Sequence, residues 1–251
     1  MTQRLEVAMI QEAALRIQHD VVRTPTIRYR LNEHCELFLK AENLQPIGAF
    51  KIRGAFNMMR TLPENCPGVV AHSSGNHAQA VALAAKSLGL HASIVMPSNA
   101  PRLKKHRTEA AGANVITVGP DSEERKKLAE KLANEKGLIP IPPYDHPLVA
   151  AGQGTAALEL YEDAPELDSF YAPVSGGGLM AGCATVLQQV SPKTKLIGVE
   201  PQAANDTYLS FAKGDRVSVA PPETIADGLR VRIPGEFTWP ILKSSLDSVE
   251  L

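Results

Sequence analysis

Short runs rich in β-branched and aliphatic residues alternate with stretches of helical periodicity over most of the chain, and this alternation constrains the fold most. ELFLKAE (36–42), GVVAHS (68–73), ASIVMP (92–97), NVITVG (114–119), LIPIPP (138–143), SFYAPVS (169–175) and KLIGVEP (195–201) read as strands. Helices are expected between and after them, near 51–62, 76–88, 101–111, 121–136, 149–163, 178–190 and 205–213. Such alternation implies βαβ units and a mostly parallel sheet. Ligands of such sheets bind beyond the carboxyl ends of the strands, where turns lead into helix N-termini. Three turns therefore matter most: the one entering Lys51, the one after GVVAHS and the one after SFYAPVS.

A near-neutral chain of 251 residues with net charge −1 has little attraction for nucleic acid or an anionic membrane, so a small molecule is the expected partner. The three cysteines, Cys35, Cys66 and Cys183, show no CxxC spacing, which suits a reducing compartment and offers no metal cluster. The N-terminal MTQRLEVAMIQEAALRI lacks the unbroken apolar core of a signal peptide, and no long apolar run follows; a cytoplasmic protein is expected.

The turn SGGGLMAG, Ser175–Gly182, follows an apolar strand and opens a helix, so backbone N–H groups and the helix dipole would converge on an anion such as phosphate. Gly176, Gly178 and Ala181 equally fit the dinucleotide pattern GxGxxA, with Glu200 at the distance of a ribose-binding acid. A third reading is that the glycines only permit tight packing. In HSSGNHAQA, Ser73, Ser74 and Asn76 are good helix caps, but one cap needs one such residue. Two serines, Asn76 and His77 around Gly75 exceed that need and suit a pocket for a small carboxylate. His77 by itself carries no weight.

Lys51, enclosed between Phe50 and Ile52 in PIGAFKIRGAFN, selects among these readings. A dehydrogenase has no use for an enclosed lysine, whereas an aldehyde cofactor needs an amine whose pKa burial has lowered, so that a Schiff base can form. A phosphate loop plus such a lysine points to pyridoxal phosphate. GAFKIRGAFN, SSGNHAQA and SGGGLMAG, in this order, resemble the fold-type II pyridoxal-phosphate family, most nearly its serine/threonine dehydratases and serine racemase. MPSNAPRLKK (96–105), AAGQGTAALEL (150–160) and PPETIADGL (221–229) extend the likeness over nearly the whole chain.

The resemblance implies an α/β fold of the tryptophan synthase β type. A large cofactor-binding domain would comprise 1–43 and 146–251, and a small substrate-side domain 44–145. It makes Lys51 the cofactor-linked base, lays Phe50 on the ring and hydrogen-bonds Asn76 to the 3-hydroxyl. Ser175, Gly176, Gly177, Gly178 and Leu179 would bind the phosphate, with Gly228 approaching from the other side. Ser73, Ser74, Gly75 and His77 would surround the substrate carboxylate, and Ser74 stands where the racemase has its second acid. Ala49 replaces the family's usual serine, and Val231 stands where the racemase resemblance calls for a serine.

The implied activity is β-elimination from L-threonine or L-serine, giving a 2-oxo acid and ammonia. Alternatives are serine racemase, 3-hydroxyaspartate dehydratase, an inactive cofactor-binding form, or an NAD-binding oxidoreductase. EPQAAND resembles the racemase's divalent-cation site, mapping to Glu200, the Ala204 carbonyl and Asp206, hard oxygens suited to Mg²⁺ or Ca²⁺; the alternative is Asp206 as a helix cap. Arg125 aligns with a racemase arginine, although a solvated helix face explains it as well. A homodimer or higher homo-oligomer is implied. Family members continue past SSLDSVEL with further helices and a strand, so an incomplete large domain with an exposed apolar edge is expected.

Overall fold

The computed structural model describes residues 4–73 and 75–251. Helix α1 (Val7–Ile17) buries Val7, Ile10, Ala13 and Ile17 along one stripe, the spacing of an amphipathic helix. A two-stranded antiparallel ribbon follows, β1 (Thr26–Asn32) and β2 (Cys35–Lys40). Ile27 pairs with Leu39 and Tyr29 with Leu37, placing these side chains on one face, and all four are exposed. A 3₁₀ turn at Glu42–Leu44 leads to α2 (Lys51–Met59).

The next elements are β3 (Val69–His72), α3 (Asn76–Leu88), β4 (Ala92–Pro97), α4 (Arg102–Ala110), β5 (Asn114–Val118), α5 (Ser122–Lys136) and β6 (Ile139–Pro140). Their four strands form a parallel sheet in the order β5-β4-β3-β6. β4 is buried at every position, as expected of a strand covered on both faces. After it come α6 (Pro147–Asp163), β7 (Ser169–Pro173), α7 (Gly178–Val190), β8 (Lys195–Val199), α8 (Asp206–Lys213), α9 (Thr238–Ser245) and β9 (Ser248–Glu250), with β7, β8 and β9 forming a second parallel sheet in that order. β7 has no second neighbour among the described residues, and Tyr171 on it is 60% exposed.

Two apolar cores serve the sheets. One gathers Ile52, Phe56, Met59, Val81, Ile94 and Met96 between α2, α3 and the four-stranded sheet. The other gathers Ile10, Met180, Leu187, Leu196, Trp239 and Leu242 beside the three-stranded sheet. Helices α6 and α7 cross backbone to backbone: a Cβ on Gly182 would lie 2.3 Å from the Ala150 carbonyl oxygen. That contact leaves no room for any other residue at 182.

A buried ion network ties α2 to both flanks. Arg53 is fully buried, and its guanidinium donates to Glu42 (2.7 and 2.8 Å), Glu159 (2.7 and 2.8 Å) and Thr155 (3.0 Å). Lys40 also reaches Glu159 at 2.7 Å. A buried cation persists only when paired and hydrogen-bonded in this way.

Candidate active site

Lys51 is the first residue of α2, and Phe50 supplies the carbonyl that opens the helix, accepting from Arg53 N at 3.0 Å. The Lys51 ammonium donates to Pro143 O at 2.7 Å and lies 5.2 Å from the Phe50 ring centroid and 6.0 Å from that of Tyr144. No carboxylate pairs with it among the described residues, and burial pushes its pKa down to about 8. Near neutral pH the amine is therefore free base in an appreciable fraction, the state a nucleophile or base requires.

The glycine turn after β7 is held from two sides. Ser175 adopts φ +54° and Gly177 φ +91°, left-handed conformations that reverse the chain into α7. A Cβ on Gly176 would lie 2.4 Å from the Tyr144 ring, and one on Gly177 would lie 2.7 Å from Leu242. Gly177 N–H is spent on Val174 O at 3.0 Å, and Gly176 O accepts from the Thr238 hydroxyl at 2.7 Å. The N–H groups of Ser175 and Gly176 find no protein acceptor among the described residues, and those of Gly178 and Leu179 lie in the first turn of α7, where no intrahelical partner exists. No acidic side chain stands in that turn. These free donors at the positive end of a 13-residue helix fit a phosphate group. Ser175 Oγ donates to Gly228 O at 3.3 Å, and a Cβ on Gly228 would meet nothing within 4 Å.

At the turn after β3, Ser73 N donates to Val95 O at 3.1 Å and Ser73 Oγ accepts from Gly75 N at 3.2 Å. Gly75 is the cap position of α3 and no side chain caps the helix, so Asn76, its first residue, is not used as a cap. Ser74 lies outside the described residues. His77 is buried with Nε2 2.8 Å from Ile141 O; a carbonyl only accepts, so Nε2 carries the hydrogen. Burial, then the charge of Lys51, pushes the His77 pKa down to about 3, and the ring is neutral. Lys104, on α4, packs on this turn and pairs with Asp227: a Cβ on Gly75 would lie 3.1 Å from its Nζ.

Glu200, Ala204 and Asp206 come together between β8 and α8. Asp206 does not cap α8: Glu200 Oε2 does, accepting from Thr207 N (2.9 Å) and Tyr208 N (3.0 Å). Both Asp206 carboxylate oxygens and Glu200 Oε1 are buried without a partner. Burial and then the Glu200 charge push Asp206 up to about 8, and burial raises Glu200 too. Buried, unpaired hard oxygens suit a divalent cation, although no group of three or more His, Cys, Asp or Glu side chains converges among the described residues. Arg125 departs from the solvated-face reading: it is half-buried, its Nε lacks a partner, and its charge lowers the pKa of His72 at the end of β3, after burial.

Lys51, Phe50 and the 175–179 turn are thus linked through Pro143 and Tyr144, and Gly228 joins them through Ser175. Glu200, Ala204 and Asp206 form a separate cluster. Tyr144, Asp145, Thr238 and Lys104 had escaped sequence reading, because PPYDHP and PGEFTWP look like ordinary turn chemistry and acquire meaning only across long separations.

The chain matches the family described as "Pyridoxal-phosphate dependent enzyme" over residues 17–251. It is 44% identical over 245 residues to the L-threo-3-hydroxyaspartate ammonia-lyase of Saccharomyces cerevisiae, covering 96% of this chain and 75% of that protein. It is 45% identical over 216 residues to the serine racemase of Schizosaccharomyces pombe, covering 85% of this chain and 67% of that one. Among solved structures, maize serine racemase matches with a TM-score of 0.95 at 38% identity, covering 99% of this chain and 77% of that one. A bacterial-strain threonine deaminase, from T.th., matches with a TM-score of 0.93 at 43% identity, covering 98% of this chain and 81% of that one.

Proposed function

The chain belongs to the pyridoxal-phosphate dependent enzymes, so its cofactor is pyridoxal 5'-phosphate and its fold is fold-type II, and on that premise we propose that it is an L-threonine/L-serine ammonia-lyase. The family assignment sets aside the dinucleotide reading of the 175–182 turn. The observation that carries the proposal is a single basic group: Lys51, lowered to about 8, is accompanied by a His77 that holds no exchangeable charge near neutral pH. Elimination from an L-amino acid needs one base, whereas racemisation needs a second acid on the opposite face.

Lys51 would hold the cofactor covalently through Nζ and, once released by the substrate amine, take the α-proton at that atom. When bound, pyridoxal phosphate supplies the electron sink that lets this proton leave. The N–H groups of Ser175, Gly176, Gly178 and Leu179 would bind the phosphate beside Gly177, with Phe50 against the ring, Asn76 at the 3-hydroxyl and Gly228 on the opposite side. Ser73, Ser74, Gly75 and His77 would orient the substrate carboxylate. The β-hydroxyl leaves as water, and the released enamine hydrolyses to a 2-oxo acid and ammonia.

Glu200, the Ala204 carbonyl and Asp206 would hold Mg²⁺ or Ca²⁺. Residues 44–145 would form the substrate-side domain, with 1–43 and 146–251 forming the cofactor domain. The exposed ribbon face of Ile27, Tyr29, Leu37 and Leu39 supports a homodimer or higher homo-oligomer. No helix among the described residues is long and apolar enough to cross a membrane; the proposed location is cytoplasmic.

A second reading, 3-hydroxyaspartate ammonia-lyase, is favoured by the Lys104 ammonium beside Gly75, a cation available to a second substrate carboxylate. The test is a coupled 2-oxo acid assay on L-threonine, L-serine and L-threo-3-hydroxyaspartate beside chiral chromatography. L-serine should give pyruvate faster than D-serine, and Lys51→Ala should abolish both turnover and the visible cofactor band. Faster formation of D-serine overturns the proposal in favour of a racemase.

A further inference from the structure

The glycine turn is built into a closed loop of contacts that no phosphate-binding role by itself requires. Gly176 O accepts from the buried Thr238 hydroxyl at 2.7 Å and from Gly235 N at 3.4 Å. Thr238 in turn begins α9, whose approach is fixed by one carboxylate: Asp145 accepts from Glu236 N (2.8 Å), Phe237 N (2.9 Å) and Thr238 N (3.2 Å). The residue before Asp145 is Tyr144, whose ring covers Gly176, and before that Pro143 offers its carbonyl to Lys51. The loop therefore closes from 144–145 to 176 directly, and again through 238.

The consequence lies in one peptide plane. With Gly176 O drawn to Thr238 and Gly177 N–H donated to Val174 O, the 176–177 amide is pinned at both ends. Its orientation fixes where the neighbouring N–H groups of Ser175, Gly176 and Gly178 can point. A carbonyl released from Thr238 could rotate toward the phosphate position, placing a partial negative charge where donors are needed.

We propose that Asp145 and Thr238 form a positioning clamp that presets the phosphate-binding turn, acting on the cofactor only through the 176–177 peptide. The inference rests on the assignment of 175–179 to the phosphate. The clamp selects for the phosphate group and is indifferent to the pyridine ring.

The test compares dissociation constants for pyridoxal phosphate and for pyridoxal, which lacks the phosphate, in the full chain by absorbance titration, with the unfolding midpoint as control. Thr238→Val should weaken pyridoxal phosphate about tenfold, the scale of one buried hydrogen bond with its unsatisfied carbonyl, and leave pyridoxal within about twofold. Thr238→Ser, which restores the hydroxyl, should recover wild-type affinity. If Thr238→Val fails to fold, the isosteric Asp145→Asn carries the same comparison with the same selective loss expected. Equal weakening of both ligands, or no weakening, overturns the clamp. A wild-type protein that barely prefers pyridoxal phosphate overturns both the clamp and the phosphate role of the turn, whereas a strong preference that survives Thr238→Val overturns the clamp alone.

Discussion

Replacing Lys51 by methionine should make the cofactor-free protein more stable near neutral pH. Burial lowers the lysine from 10.5 to about 8, which corresponds to about 3 kcal/mol of folding free energy at about 1.4 kcal/mol per pH unit. The sign follows from proton counting. Between pH 8 and 10.5 the unfolded chain binds the proton and the folded chain does not, so stability rises with pH across that window; below it the full cost applies. Methionine removes the cost but loses the hydrogen bond to Pro143 O, worth about 1 kcal/mol. A net gain of about 2 kcal/mol is expected at about pH 7. Urea unfolding followed by the fluorescence of Trp239, the single tryptophan, measures it, with the difference between variant and wild type cancelling every other titrating group. The gain should shrink as pH rises and become a loss near 10.5. A methionine variant that is less stable at neutral pH, or a difference that does not change with pH, refutes the reasoning.

Three further outcomes are expected. Arg53→Met strands the carboxylates of Glu42 and Glu159 and should cost about 3–5 kcal/mol in chemical denaturation, far more than a surface ion-pair deletion. Gly182→Ala drives a methyl group into the Ala150 carbonyl, where no flexible side chain can yield, and should lower stability by about 3 kcal/mol or prevent accumulation of folded protein. Mg²⁺ or Ca²⁺ should raise the thermal midpoint, EDTA should reverse the rise, and Asp206→Ala should abolish it; a midpoint indifferent to both reagents leaves Glu200 and Asp206 as a buried carboxyl pair.

Much of the architecture was readable because period-2 and helical patterns coincide with burial from residue 36 to 213. The helices expected at 76–88 and 178–190 have those bounds in the structure. The expected strand 138–143 shrinks to Ile139–Pro140, since Pro142 and Pro143 have no N–H to donate to a ladder. The expected start of α6 at 149 falls two residues late, because Pro147 at the first position and the His146 side-chain cap extend the helix backward. β1 was missed because TIRYRLN is exposed on both faces, so its alternation tracks no core. α9 was missed because it is short and contains Pro240. Within the site, the Lys51 neighbourhood was legible from adjacent residues. Its partner Pro143 lies 92 residues away and the Thr238–Gly176 contact spans 62, separations at which no local pattern carries information.

The Arg53 network also governs how the molecule comes apart. Its acids sit 11 residues before and 106 residues after it, on the 3₁₀ turn and on α6, so no single segment can satisfy the guanidinium alone. Pulling away either flank leaves a desolvated charge against the other, which makes partial opening nearly as costly as complete opening. Peeling from one end is thereby suppressed, and α2, which carries Lys51, exchanges its backbone hydrogens only when α6 lets go as well. Forming that knot requires closing a loop of over a hundred residues before any ionic reward is collected, which places its assembly late in folding and makes the arrangement slow to form and slow to lose.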